Sequence, residues 1–210
     1  MSKQTFGEEL ANSITHGVAA LLVLASLPVV AIAAHARGGA ETAFGVSVFC
    51  ISIFLMFLMS TLYHSMEHES RHKKVFKILD HIFIYVAIAG SYTPIAIQVI
   101  GGWKAVLILT IQWVMVLFGI LYKSLARQSM PKTSMMIYLV MGWTVVLVIP
   151  QFMKNSSPAL FWLILAGGLA YSVGTIFYAM KSVKYHHMLW HLFVFIGAGT
   201  HYVGICFFMK

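Results

Sequence analysis

Five polar side chains stand at the ends of otherwise apolar stretches: Ser60, His64, Asp80, His187 and His191. Ser60 and His64 are four residues apart in Ser-Thr-Leu-Tyr-His, and His187 and His191 are four apart in His-Met-Leu-Trp-His. On a helix, that spacing puts both members of a pair on one face, one turn apart. Three imidazoles with a fourth, open position form the ligand set of a catalytic zinc site. Zinc held in this way lowers the pKa of its water to about 7. A nearby carboxylate can then orient that water or take its proton, and Asp80 is the candidate for this catalytic role. Ser60 is the candidate for a hydrogen bond to a ligand or to the groups around it. Histidines four apart also occur as packed core residues with satisfied ring nitrogens. On the residues alone, that alternative stays open.

The elements that must position these side chains are membrane spans. Of 210 residues, 60% are hydrophobic and only 10% are charged, against roughly a quarter charged in an ordinary soluble domain. Seven apolar runs are long enough to cross a bilayer. They lie near 14–35, 43–65, 77–99, 103–123, 133–152, 158–180 and 187–209. Short breaks such as Arg37-Gly38-Gly39 and Gly101-Gly102 separate them, leaving no room for an extramembrane domain. The expected fold is all-α: one polytopic seven-transmembrane helix bundle over residues 1–210.

Lys and Arg set the orientation. With a cytoplasmic N-terminus, ten fall inside: Lys3, Arg71, Lys73, Lys74, Lys77, Lys123, Arg127, Lys132, Lys181 and Lys184. Four fall outside: Arg37, Lys104, Lys154 and Lys210. In that topology the five polar residues share one depth near the cytoplasmic face, which gives the metal reading its weight. The net charge of +8 belongs to these gaps and forms no basic stripe, so no nucleic-acid partner is expected. The first span carries Ala-Ile-Ala-Ala-His-Ala, which resembles a cleavage region, yet Glu8 and Glu9 precede it where a signal peptide is basic.

The remaining histidines divide by position. His68, His72 and His186 fall in or beside basic loops and are expected to be solvated. His35 is expected in a loop on the far side. His81 points about 100° away from Asp80 on a helix and suits an interface. His16, near the inner end of the first span, is placed to support the site. His201 lies about 15 Å along the helix from His191, too far to share an ion. Asp80 is the one acidic residue inside these spans. Cys50 and Cys206 read as small buried hydrophobes. Pro28, Pro94 and Pro150 are expected to kink helices, and Gly167, Gly168 and Gly174 to allow close packing.

With these motifs in order, the chain resembles the hemolysin III family, the bacterial branch of the progestin and adiponectin receptor superfamily. The resemblance rests on Glu-Glu-Leu-Ala-Asn-Ser-Ile-Thr-His-Gly (8–17), Ser-Thr-Leu-Tyr-His (60–64) and Leu-Asp-His-Ile-Phe-Ile-Tyr (79–85). It continues with Ala-Gly-Ser-Tyr-Thr-Pro (89–94), Tyr-Ser-Val-Gly-Thr-Ile-Phe-Tyr (171–178) and His-Met-Leu-Trp-His-Leu-Phe (187–193). Ser91 departs from the pattern, where Thr is commoner. The resemblance implies a seven-helix bundle with an internal zinc on His64, His187 and His191. It also implies a water between the zinc and Asp80, with Ser60 alongside. The wider superfamily includes ceramide-cleaving amidases.

The resulting expectation is a zinc-dependent integral membrane hydrolase of the bacterial cytoplasmic membrane. It would act on a lipid amide or ester bond, ceramidase-like, with a role in membrane lipid homeostasis. Its partners would be membrane lipids and the zinc ion. One alternative is a non-catalytic zinc protein regulating membrane composition or energetics. Another is a cytolysin, which would need a water-soluble state that seven apolar spans oppose. A transporter is weaker, because no midplane ion pathway is visible.

Overall fold

The computed structural model describes residues 4–125 and 131–209. Lys3, Arg127 and Lys210, which enter the charge count for orientation, lie outside the described residues. Among the described residues every regular element is a helix, and six helices are long and apolar enough to cross a membrane.

The first of these runs from Phe6 to Ser65, 60 residues. At about 1.5 Å per residue, that is about three times the thickness of a bilayer core. It is not one rod. Gly38 leaves helical geometry at φ −143°, and Gly39 adopts φ 71° with ψ −162°, a left-handed backbone that a side chain would strain. The two halves, α1 (6–37) and α2 (40–65), fold back on each other as an antiparallel hairpin. Ser13 Oγ reaches Ser65 Oγ at 2.7 Å and the carbonyl of Thr61 at 3.4 Å. The expected break at Arg37-Gly38-Gly39 is therefore present. His35, however, is in the exposed last turn of a helix and is not a loop residue.

Five helices follow. They are α3 (Arg71–Ile95), α4 (Gly102–Leu125), α5 (from Pro131 to Asn155), α6 (Pro158–Ala179) and α7 (His186–Val203). The ends of α3 and α7 widen over Ala96–Ile100 and Gly204–Phe208. α2 forms the centre. Val46, Phe49, Cys50, Ile53 and Phe57 follow a helical repeat and are each at most 2% exposed. Close approach to α3 depends on Gly45, where an added Cβ would lie 2.9 Å from Pro94 Cα.

Helix geometry changes near Pro94 and Pro150, whereas Pro28 lies inside a helix whose non-helical residues are Gly38 and Gly39. α3 loses regular α geometry just after Pro94. α5 tightens over Thr144–Val148 before Pro150 restarts the helix. The freed groups there are satisfied across the bundle: the Tyr92 hydroxyl donates to Gly142 O at 2.6 Å and accepts from Val145 N at 2.8 Å. Gly174 packs tightly, since its Cβ would meet Phe193 Cβ at 2.8 Å. Gly168 does not, its nearest neighbour being Trp143 at 3.7 Å.

Two helix starts dock against each other. Thr5 and Glu8 form a reciprocal cap, with Thr5 N donating to Glu8 Oε2 at 2.8 Å and Glu8 N to Thr5 Oγ1 at 3.3 Å. The other carboxylate oxygen of Glu8 accepts from Tyr185 N at 3.1 Å, where Tyr185 turns at φ 59° into α7. The starts of α1 and α7 thus share one end of the bundle with the end of α2. At the opposite end, Arg37 Nη2 donates to Cys206 O at 2.5 Å, Asn155 Nδ2 to Val99 O at 2.8 Å and Ser157 Oγ to Phe208 O at 2.9 Å.

Candidate metal centre

The last turn of α2 carries His64, and the first two turns of α7 carry His187 and His191. The hairpin and the Glu8–Tyr185 contact bring these turns together. One ring nitrogen from each histidine lies within 4.8 Å of the other two. His64 and His191 are buried at 3% and 2% exposure, and His187 is half-buried. The rings of His187 and His191 are 4.6 Å apart, and they stand 5.1 and 5.0 Å from His64. Packed core histidines would have both nitrogens engaged. His64 does not: its Nε2 is buried without a partner.

The outer nitrogens of two rings are held. His64 Nδ1 sits 2.7 Å from Glu9 Oε2, and His191 Nδ1 sits 3.3 Å from the carbonyl of Asn12. A carboxylate and a carbonyl can only accept, so in the neutral form of each ring the proton sits on Nδ1 and the lone pair on Nε2. This is the arrangement in which metal-ligating histidines are oriented by outer partners. The three histidines can therefore hold a metal ion, and a tri-imidazole donor set suits zinc among other divalent ions.

Ser60 is one turn before His64 on α2, at 2% exposure, and its Oγ has no partner. Asp80, half-buried on α3, approaches His81 Nδ1 at 3.8 Å. Ser60, Asp80, His187 and His191 line one cavity of about 400 Å³, together with Tyr63 and Tyr178. Its wall continues to Trp143 and His201, deep between the helices. His201, as expected, stands apart, its Nε2 against Ile164 O at 3.1 Å. His81 likewise faces its own helix, with Nδ1 at 2.6 Å from Lys77 O.

Three expectations need correction. Glu9 is a second buried carboxylate, at 8% exposure, so Asp80 is not the one acidic group within the bundle. A first span beginning at 14 would leave Glu9 in a solvated flank. The helix instead starts at Phe6 and carries Glu9 against His64. Lys73, expected in a cytoplasmic loop, is also buried at 8%, with Nζ 2.8 Å from Glu9 Oε1. His186 is half-buried and its Nδ1 lacks a partner, whereas His68 and His72 are exposed as expected. His16 does reach the site: its ring stacks on His191 at 3.7 Å, with 8° between the planes.

Comparison with known proteins agrees with the motifs. The model of the family described as "Haemolysin-III related" matches residues 4–202. The chain is 37% identical over 202 residues to "Hemolysin-3" of Bacillus cereus, covering 96% of this chain and 92% of that protein. It is 38% identical over 204 residues to "Hemolysin-3 homolog" of Bacillus subtilis (strain 168), covering 97% and 95%. The human "Monocyte to macrophage differentiation factor" is 27% identical over 209 residues, covering 97% and 85%. The family match spans nearly the whole chain and takes in all three histidines of the cluster, so this multi-pass membrane protein belongs to the haemolysin III-related family.

Proposed function

We propose that this chain is a single seven-span domain of the bacterial cytoplasmic membrane, N-terminus inside, and a zinc-dependent hydrolase of a lipid amide or ester bond. The observation that carries this reading is the histidine cluster, two of whose members, His187 and His191, line the cavity that Ser60 and Asp80 also line. The break at Gly38-Gly39, which divides the 60-residue helix in two, supports a count of seven. The orientation is supported by the charges: Lys74, Lys77, Lys181 and Lys184 lie at the histidine end, whereas Arg37, Lys104 and Lys154 lie at the other.

A bound zinc ion supplies Lewis acidity, polarising a carbonyl and acidifying water. The protein does the rest. Asp80 takes a proton from the attacking water on its carboxylate and returns it to the leaving amine or alcohol. Ser60 Oγ, free of other partners, donates to the carbonyl oxygen as charge develops there. The apolar part of the cavity wall, with Ile84, Ala87, Ile88 and Leu139, would take the hydrocarbon chain of the lipid.

The test is turnover of ceramide, acyl-amide and acyl-ester lipids by purified, zinc-replete protein. Asp80→Asn is expected to abolish turnover and retain the metal. Full zinc with no turnover of any of these lipids would remove the hydrolase reading. It would favour a non-catalytic centre that clamps α2 to α7, which the placement of all three imidazoles on those two helices supports. The relatives' name raises a third outcome, lysis of erythrocytes by the purified protein, which the same preparation measures directly.

A further inference from the structure

α1 donates none of the three imidazoles, yet one of its faces touches two of them. Glu9, Asn12 and His16 recur at a helical spacing along that face and are 8%, 0% and 3% exposed. Glu9 Oε2 accepts from His64 Nδ1 at 2.7 Å. Asn12 O lies 3.3 Å from His191 Nδ1. His16 lies flat on His191 at 3.7 Å, braced behind by the edge of Phe57 at 5.0 Å.

We propose that Glu9 and His16 of α1 are positioning residues of the metal centre, Glu9 fixing the tautomer and ring plane of His64 and His16 fixing the ring plane of His191. The inference rests on the reading of the histidine cluster as a metal site and adds to it the residues that set its affinity.

The chemistry of each contact is specific. An ionised carboxylate on Nδ1 makes the opposite nitrogen a stronger donor, and loss of such outer partners typically weakens metal binding about 10–100-fold. The second oxygen of Glu9 is neutralised by Lys73 Nζ at 2.8 Å, which also donates to Met66 O at 3.2 Å. This ion pair makes a buried carboxylate tolerable beside the centre. Both nitrogens of the His16 ring are buried and neither makes a hydrogen bond of good geometry. Its contacts are the stack on His191 and the edge of Phe57, which identifies its role as a flat surface.

The experiment uses the full chain in detergent and zinc as the probe, with affinity measured by competition against a chromophoric chelator. Glu9→Gln, nearly isosteric, is expected to weaken zinc by about tenfold and Glu9→Ala by more, within the range for outer partners. His16→Phe keeps a flat ring and is expected to stay within about twofold, whereas His16→Ala falls with the Glu9 variants. Cobalt(II) substitution gives a second readout. The visible bands should shift in Glu9→Gln and not in Gly45→Ala, a packing change against Pro94 that is about 28 Å along α2 from His64. Wild-type zinc affinity and unshifted cobalt bands in Glu9→Gln and His16→Ala would overturn this inference alone. A wild type that binds neither ion overturns the metal reading with it.

Discussion

Cys50 of α2 and Cys206 beyond α7 are 156 residues apart in sequence, yet their sulfurs approach to 4.0 Å inside the bundle. They join the same two helices as the histidines, at the other end. Each is buried among apolar side chains, so oxidation of the pair is slow and needs a reagent that enters the bundle. Closing the gap to a disulfide requires the sulfurs to move by about 2 Å. Treatment with a membrane-permeant disulfide-forming oxidant should therefore give an intramolecular cross-link, read as the loss of two alkylatable thiols and two hydrogens of mass. Cross-links only between chains would show that the rotation of α7 against α2 is different.

Removing any one imidazole should empty the centre. His64→Ala, His187→Ala and His191→Ala are each expected to reduce zinc, by elemental analysis, from about one equivalent to near zero, because a two-imidazole site loses most of its affinity. His201→Ala, whose ring lies against Ile164 O, should keep its zinc. Equal zinc in all four variants would mean that the ion is held elsewhere.

The ion pair between Glu9 and Lys73 should be worth more than a surface pair, since both side chains are about one-tenth exposed. Lys73→Met leaves the carboxylate facing His64 and His68 with one donor fewer, at a cost of about 1.5–3 kcal/mol. Adding Glu9→Gln to Lys73→Met should cost less than the two changes summed. Thermal unfolding in a fixed detergent measures the four corners, and strict additivity would show that the two groups do not interact.

Packing between α6 and α7 gives the fourth prediction. An alanine Cβ at Gly174 would meet Phe193 Cβ at 2.8 Å and Trp190 Cε3 at 2.9 Å, whereas one at Gly168 has no neighbour nearer than 3.7 Å. Gly174→Ala should cost about 1–3 kcal/mol through overpacking, and Gly168→Ala close to nothing. The difference in melting temperature between the two variants is the measurement. Equal values would show that Trp190 and Phe193 stand off from α6.

The helical class, the breaks between spans and the histidine cluster are legible in local patterns. Long apolar runs locate spans whatever their tertiary neighbours, and His187 with His191 share a face by spacing alone. Glu9 escapes such a reading for a physical reason. Hydropathy marks where a chain enters lipid, and this helix begins before that point. The cue is present in Thr5-x-x-Glu8, a capping pattern that starts the helix at Phe6 and puts Glu9, Asn12 and His16 on one face. The Lys73 pairing and the Cys50–Cys206 approach have no such cue. Both depend on how helices rotate about their own axes, which side-chain packing decides.

The hairpin also imposes an order on biogenesis. α1 and α2 leave the ribosome before α7 and can join Glu9 to His64 while α7 is still unsynthesised. His187 and His191 arrive with α7, after the other six helices. A chain stopped short of α7 would own a single imidazole of the three, so the cluster cannot assemble until α7 has been made.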